Sequence, residues 1–183
     1  MELVRGKMNP TYFWGVKVRG FAYGKTVFQD PETDPPILGV IDSGTTLAIV
    51  PTMVFENMVG AMADKFVNET AVDFVCVRDK NRASGFVNNC YFNNTDCDTL
   101  FKNQGHLFDD FKFQMGDNSV FSIKAPVAFR NSNNTVEVTG LHVPSCGLGF
   151  RHHKDDYTNP KRARYLLGNV LLKNFYSVYD YDQ

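Results

Sequence analysis

A single carboxylate, Asp42, stands inside the stretch GVIDSGTTLAIVP at residues 39–51, with aliphatic residues on both sides. An ionised carboxylate removed from water is costly unless it gains partners or a proton. Its neighbours are of the kinds that could provide both. Gly44 permits a tight turn and close backbone approach, while Ser43 and Thr45 bring hydroxyls that can donate to the carboxylate and fix its orientation. A carboxylate held this way can act as a general base on water when a neighbour tunes its acidity. The competing reading is an ordinary β-turn, because Asp, Ser and Gly are common turn formers. Average residue usage gives Asp-[Ser/Thr]-Gly-[Ser/Thr] by chance in roughly one chain of this size in a hundred. The Val, Ile and Leu flanks make the coincidence rarer still, which favours chemistry.

Other reactive groups are poorly arranged. His152 and His153 are adjacent in RHHKDDY; neighbouring residues on a strand face opposite sides, and the segment reads as a solvated loop, so no metal site is expected. The basic run in NPKRARY lacks aromatic platforms for stacked bases. No Gly-rich phosphate loop and no nucleophile elbow is present. Four cysteines allow three connectivities; lacking a Cys-x-x-Cys pair, they read as structural bridges rather than metal ligands.

Composition bounds the rest. The 183 residues suffice for one good core, and 19 basic against 20 acidic side chains give a net charge of −1. That balance offers no global field toward nucleic acid or an anionic membrane. No apolar run reaches the roughly 20 residues needed to cross a bilayer. The start, MELVRGKMNP, lacks the apolar centre of a secretory signal, yet the cysteines and sequons at Asn68, Asn93 and Asn133 fit an oxidising, secretory compartment. The expectation that reconciles these signals is a piece of a longer chain whose leader has been lost.

The elements that must position Asp42 can be placed by periodicity. Residues 12–23 alternate, with Trp14, Val16 and Val18 on one face and Lys17 and Arg19 on the other, as in a half-buried strand. ILGVIDSG predicts a second strand ending in a turn, and TLAIV a third. Pro51 suits a helix start, and Val54, Phe55, Met58, Met62 and Phe66 recur at helical spacing as a core stripe. Residues 68–106 read as loops with short strands. FKFQM, VFSIKA and TVEVTGLHV predict further strands, with a turn at GDNS. RYLLGNVLLKNFYSVYDYDQ predicts a short strand, a Gly-Asn break, a brief helix and another strand. With 16 Phe and 8 Tyr, the class expected is all-β.

In order along the chain, GVIDSGTTLAIVP, a helix after the proline, FKFQMGDNSVFSIKAPVAF, CGLGF and YLLGNVLLKNFYSVYD resemble the C-terminal lobe of the pepsin-like aspartic proteases, the group that includes cathepsin D. The resemblance runs from about residue 12 to the last residue. It implies a single lobe over residues 1–183, lacking the N-terminal lobe and the extreme C-terminal strand. Asp42 to Thr45 match the second Asp-Thr/Ser-Gly-Thr/Ser signature, and Leu166, Leu167 and Gly168 match the hydrophobic-hydrophobic-Gly element that packs under the catalytic loop.

The activity implied is aspartic endopeptidase cleavage of extended polypeptides in an acidic compartment, a lysosome or vacuole, or outside the cell. Two aspartates, one per lobe, would share a proton; the repulsion of close like charges that separates their titrations is the effect for which pepsin is a standard example. Asp42 would be one of them, Thr45 would hydrogen-bond it, Ser43 would help lock the two loops together, and Gly44 would leave room for water. No cofactor or metal is implied. The partners are a polypeptide substrate and an N-terminal lobe, without nucleic acid or membrane. By the same resemblance the disulfides are expected as Cys90–Cys146 and Cys76–Cys97. Two alternatives stand beside this reading. One is a homodimer sharing two copies of Asp42, as in retroviral proteases; the other is an inactive lobe serving as a binding or inhibitory module, or a gene fragment.

Overall fold

The computed structural model describes residues 14–69, 72–78, 87–116, 119–135, 142–152 and 163–175. Its strands are β1 (Trp14–Tyr23), β2 (Thr26–Gln29), β3 (Ile37–Ile41), β4 (Ala48–Val50), β5 (Phe74–Arg78), β6 (Val87–Asn93), β7 (Phe111–Met115), β8 (Ser119–Ile123), β9 (Phe129–Thr135), β10 (His142–Leu148), β11 (Phe150–His152) and β12 (Tyr165–Leu167). The helices are α1 (Thr52–Glu69), α2 (Cys97–Gln104), α3 (Ala125–Ala128) and α4 (Asn169–Leu172). The architecture is mostly β, as expected, in two mixed or antiparallel sheets with helices against them.

β1 organises the larger sheet. Val16 and Val18 are buried, and Lys17 and Arg19 lie half-buried between them. The register with β7 slips between Val18 and Gly20, so the alternation changes phase and Phe21 and Tyr23 also reach the core. Along its other edge β1 changes partner, pairing with β3 over Trp14–Val18 and with β2 from Phe21 to Tyr23.

β3 and β4 are consecutive in sequence but do not pair with each other. β12 lies between them, parallel to β3 and antiparallel to β4. The sheet therefore runs β11-β4-β12-β3-β1-β7-β8, with β2 on β1. α1 links this sheet to the smaller one, ordered β5-β6-β10-β9. Phe55 lies 5.9 Å from the His152 ring, and Phe66 meets Phe92 edge-on at 5.1 Å. The stripe Phe55, Met58, Met62 and Phe66 is fully buried, each side chain contributing roughly 2–3 kcal/mol of apolar transfer.

Three expectations are corrected. The described part of residues 68–106 holds short strands, β5 and β6, as expected, but also the helix α2, which was not expected. Asp96 caps α2, its carboxylate accepting from the Thr99 backbone N–H at 2.8 Å and from the Thr99 hydroxyl at 2.9 Å. These bonds hold the Asp96 carboxyl below its ordinary range. His152 is not on a solvated loop: it ends β11 and is buried beside Thr52, while His153 lies outside the described residues.

The third correction concerns the disulfides, which join Cys76 to Cys90 and Cys97 to Cys146. β5 and β6 pair with Cys76 directly opposite Cys90, so their Cβ atoms face each other. Cys146 in β10 lies opposite Phe92, not Cys90, and α2 begins over it with Cys97, whose N–H is fixed by the Asn131 side chain at 2.6 Å. The pairing Cys90–Cys146 was expected from resemblance; sheet register overrides it. The sequence stretch 136–141 of TVEVTGLHV and the last strand expected after residue 175 lie outside the described residues.

Candidate functional site

The chain leaves β3 at Ile41 and turns through residues 42–47 before β4 begins. Because β12 occupies the slot between those strands, the turn must bridge a third strand rather than close a tight hairpin. Its backbone is consequently tied to the end of β12 and the start of α4. The Asp42 N–H donates to the Leu167 carbonyl at 3.3 Å, the Asn169 N–H to the Thr45 carbonyl at 2.8 Å, and the Val170 N–H to the Thr46 carbonyl at 3.2 Å. The Ala48 N–H meets the Gly149 carbonyl at 2.9 Å, anchoring the far end of the turn.

Within that frame the Asp42 carboxylate is held at both oxygens. The Gly44 N–H donates to Oδ1 at 2.9 Å, and the Thr45 hydroxyl donates to Oδ2 at 2.5 Å. Bonds to an ionised acceptor are the stronger kind, and together these fix the plane of the carboxylate. Asp42 is only half-buried, while Ser43 and Gly44 are exposed, so solvent or a ligand can approach the carboxylate from that side. Ser43 makes no described contact that assigns it a task inside this chain.

Two glycines serve close approach. A side chain at Gly44 would start 3.2 Å from Asp42 Oδ1, in keeping with the close approach expected there, although its φ is not left-handed. Gly168 is tighter. A Cβ there would lie 2.3 Å from both the Thr45 and Leu47 carbonyl oxygens, so the strand exit and the turn touch backbone to backbone. Of the expected packing residues, Leu167 is fully buried and Leu166 half-buried, opposite Val40 and Ile49.

The structure thus brings Asp42, Gly44, Thr45, Leu167 and Gly168 into one unit and adds Asn169 and Val170, whose N–H groups hold the turn. It also joins a pair that the sequence did not single out, Gln29 and Tyr165. Their side chains are buried and hydrogen-bonded at 2.6 Å, and burial, with a smaller push from Asp34, raises the Tyr165 hydroxyl's pKa far above its ordinary value. Nothing in TVFQ marks Gln29 as a core residue, because a strand-end Gln ordinarily faces water. Among the described residues no group of three or more His, Cys, Asp or Glu is placed to hold a metal ion, and no helix is long and apolar enough to cross a membrane.

Comparison with known proteins bears on the family and the fold. A search among curated proteins finds no significant match. Among solved structures the chain is similar to the aspartic proteinase from Irpex lacteus, with 19% identity and a TM-score of 0.57 over 98% of this chain. The chain spans 43% of the length of that structure's chain; at such identity the likeness speaks for the fold. The family model described as eukaryotic aspartyl protease matches residues 2–183, and the chain belongs to that family.

Proposed function

We propose that residues 1–183 form the C-terminal lobe of an aspartic endopeptidase and that Asp42 is one of its two catalytic carboxylates. The observation that carries this reading is the Asp42 carboxylate itself, half-exposed yet held at both oxygens by Gly44 and Thr45 on a turn braced by β12. The Asp96 cap of α2 holds its carboxylate in a similar way; what sets Asp42 apart is the strand β12 and the tight Gly168 contact that brace its turn. The second aspartate comes from an N-terminal lobe, in the same polypeptide or in another chain; the coverage of 43% of the similar structure leaves room for one.

In the assembled site one carboxylate takes a proton from water, which attacks the scissile carbonyl carbon. The other, protonated, donates to the carbonyl oxygen, and the tetrahedral intermediate then expels the amine with a proton returned to nitrogen. The roles of this chain's residues are local. Thr45 and the Gly44 N–H orient Asp42, and Gly168 keeps the turn seated on β12. The substrate is an extended polypeptide, and the compartment is acidic and oxidising, in keeping with the two disulfides. Passage through a secretory compartment also makes Asn93 the proposed glycan acceptor. It closes β6 immediately before the left-handed Asn94, is half-exposed, and heads the sequon completed by Thr95. Enzymatic removal of N-glycans from the secreted protein should shift its mass, and Asn93→Gln should abolish that part of the shift.

The test of catalysis is cleavage of an unstructured protein at acid pH by the two-lobe assembly, compared with its Asp42→Asn form. Loss of at least about a thousandfold in rate is expected for a group the chemistry cannot do without. Equal rates in the two would remove Asp42 from the mechanism.

A further inference from the structure

Where β1 exchanges β3 for β2 as its partner, the sheet has a seam. β3 pairs with β1 as far as Val18, β2 takes over at Phe21, and residues 30–36 loop out between the two strands. A seam of this kind strands backbone groups that neither partner can reach. Gln29, the last residue of β2, turns its side chain into it. Its Nε2 donates to the Val18 carbonyl at 3.1 Å and to the Pro35 carbonyl at 3.4 Å. Its Oε1 accepts the Tyr165 hydroxyl at 2.6 Å. Gln29 is 2% exposed and Tyr165 fully buried, so this is a satisfied polar bridge inside an aromatic core that includes Phe21 and Phe113.

The bridge matters because of where Tyr165 stands. It is the first residue of β12, and only two residues separate it from Gly168. β12 carries the Leu167 carbonyl that receives the Asp42 N–H, and Gly168 presses on the carbonyls of Thr45 and Leu47. β12 is three residues long, so its ladder supplies few hydrogen bonds, and the Gln29–Tyr165 bond adds a side-chain tie at its first residue. We propose that the buried Gln29–Tyr165 hydrogen bond is a positioning device for the Asp42 turn, setting where β12 sits between β3 and β4. Gln29 and Tyr165 are positioning residues: both are buried, and none of their hydrogen bonds reaches Asp42. The inference rests on the proposed role of Asp42 only where it concerns catalysis; the mechanical coupling stands on the structure alone.

Residue-resolved amide exchange on the 183-residue protein tests the coupling, with Tyr165→Phe as the main variant. The phenyl ring keeps the packing while the hydroxyl is lost, so the fold survives. Exchange at the Asp42, Asn169 and Val170 amides should quicken by about tenfold or more, as for a local opening. The Leu100 amide in α2 should be unchanged. Gln29→Asn, too short to reach the hydroxyl, should leave the same footprint, and the double variant should be no worse than either single one. In the two-lobe enzyme, Tyr165→Phe should lower kcat severalfold with KM unchanged. Uniform quickening across the protein, or no change at the three amides, overturns the proposal. Should the exchange footprint appear while neither wild type nor variant cleaves protein, the positioning role survives and the protease reading alone fails.

Discussion

Replacing Gly168 by alanine should show how closely the Asp42 turn rides on β12. The new methyl would start 2.3 Å from two backbone oxygens, about 0.7 Å inside the 3.0 Å below which real Cβ atoms essentially never approach. Neither obstacle is a flexible side-chain tip that can swing away. The turn or the strand must shift, and either movement strains the Asn169-to-Thr45 and Asp42-to-Leu167 hydrogen bonds. Overpacking of this kind costs about 1–3 kcal/mol, and two backbone clashes place Gly168→Ala at the upper end, about 3 kcal/mol. For a chain of this length that corresponds to a fall of roughly 10 °C in Tm. Gly60→Ala supplies the contrast. Gly60 is exposed within α1, with nothing within 4 Å of an added Cβ, so the same substitution should raise stability by about 0.5–1 kcal/mol. Urea unfolding monitored by the fluorescence of Trp14, the protein's one tryptophan, suits both variants; Trp14 lies opposite Ile41, next to Asp42. Equal stability of Gly168→Ala and wild type would refute the seating of the turn on β12.

Other parts of the structure lead to further expected outcomes. Non-reducing peptide mapping should recover Cys76 linked to Cys90 and Cys97 linked to Cys146; a fragment joining Cys90 to Cys146 would contradict the register of β6 and β10. Removing the second bridge by Cys97→Ala with Cys146→Ala should cost more, about 4 kcal/mol against about 3 for the first, because its separation is 49 residues rather than 14. Burial raises the Tyr23 hydroxyl to about 12. The folded state therefore keeps that proton over a range where the unfolded chain has released it, so stability should fall as pH rises from about 10 to 12, by about 2 kcal/mol in all. Tyr23→Phe should flatten that part of the pH–stability curve; an unchanged slope would refute the assignment.

What the sequence determined by itself was whatever depends on local order. The period-2 alternation around Val16 and Val18, the helical stripe from Phe55 to Phe66 and the small hydroxylated residues around Asp42 are each local patterns, and they dictate a strand, a helix and a liganded turn. α2 was missed although Asp96 and Thr99 carry a capping signal, because the polar residues around it hide a helix that buries only Cys97 and Leu100. Tertiary structure alone decided which distant segments meet. No spacing rule places β12 between β3 and β4, brings Asn169 to Thr45, or sets Cys76 opposite Cys90 rather than near Cys97. The buried Gln29 shows the same limit: its partner lies 136 residues away, and a polar side chain belongs in a core only when its partner arrives there too. Side-chain pattern acts over a few residues of chain, whereas register and strand order are settled by packing across the whole core.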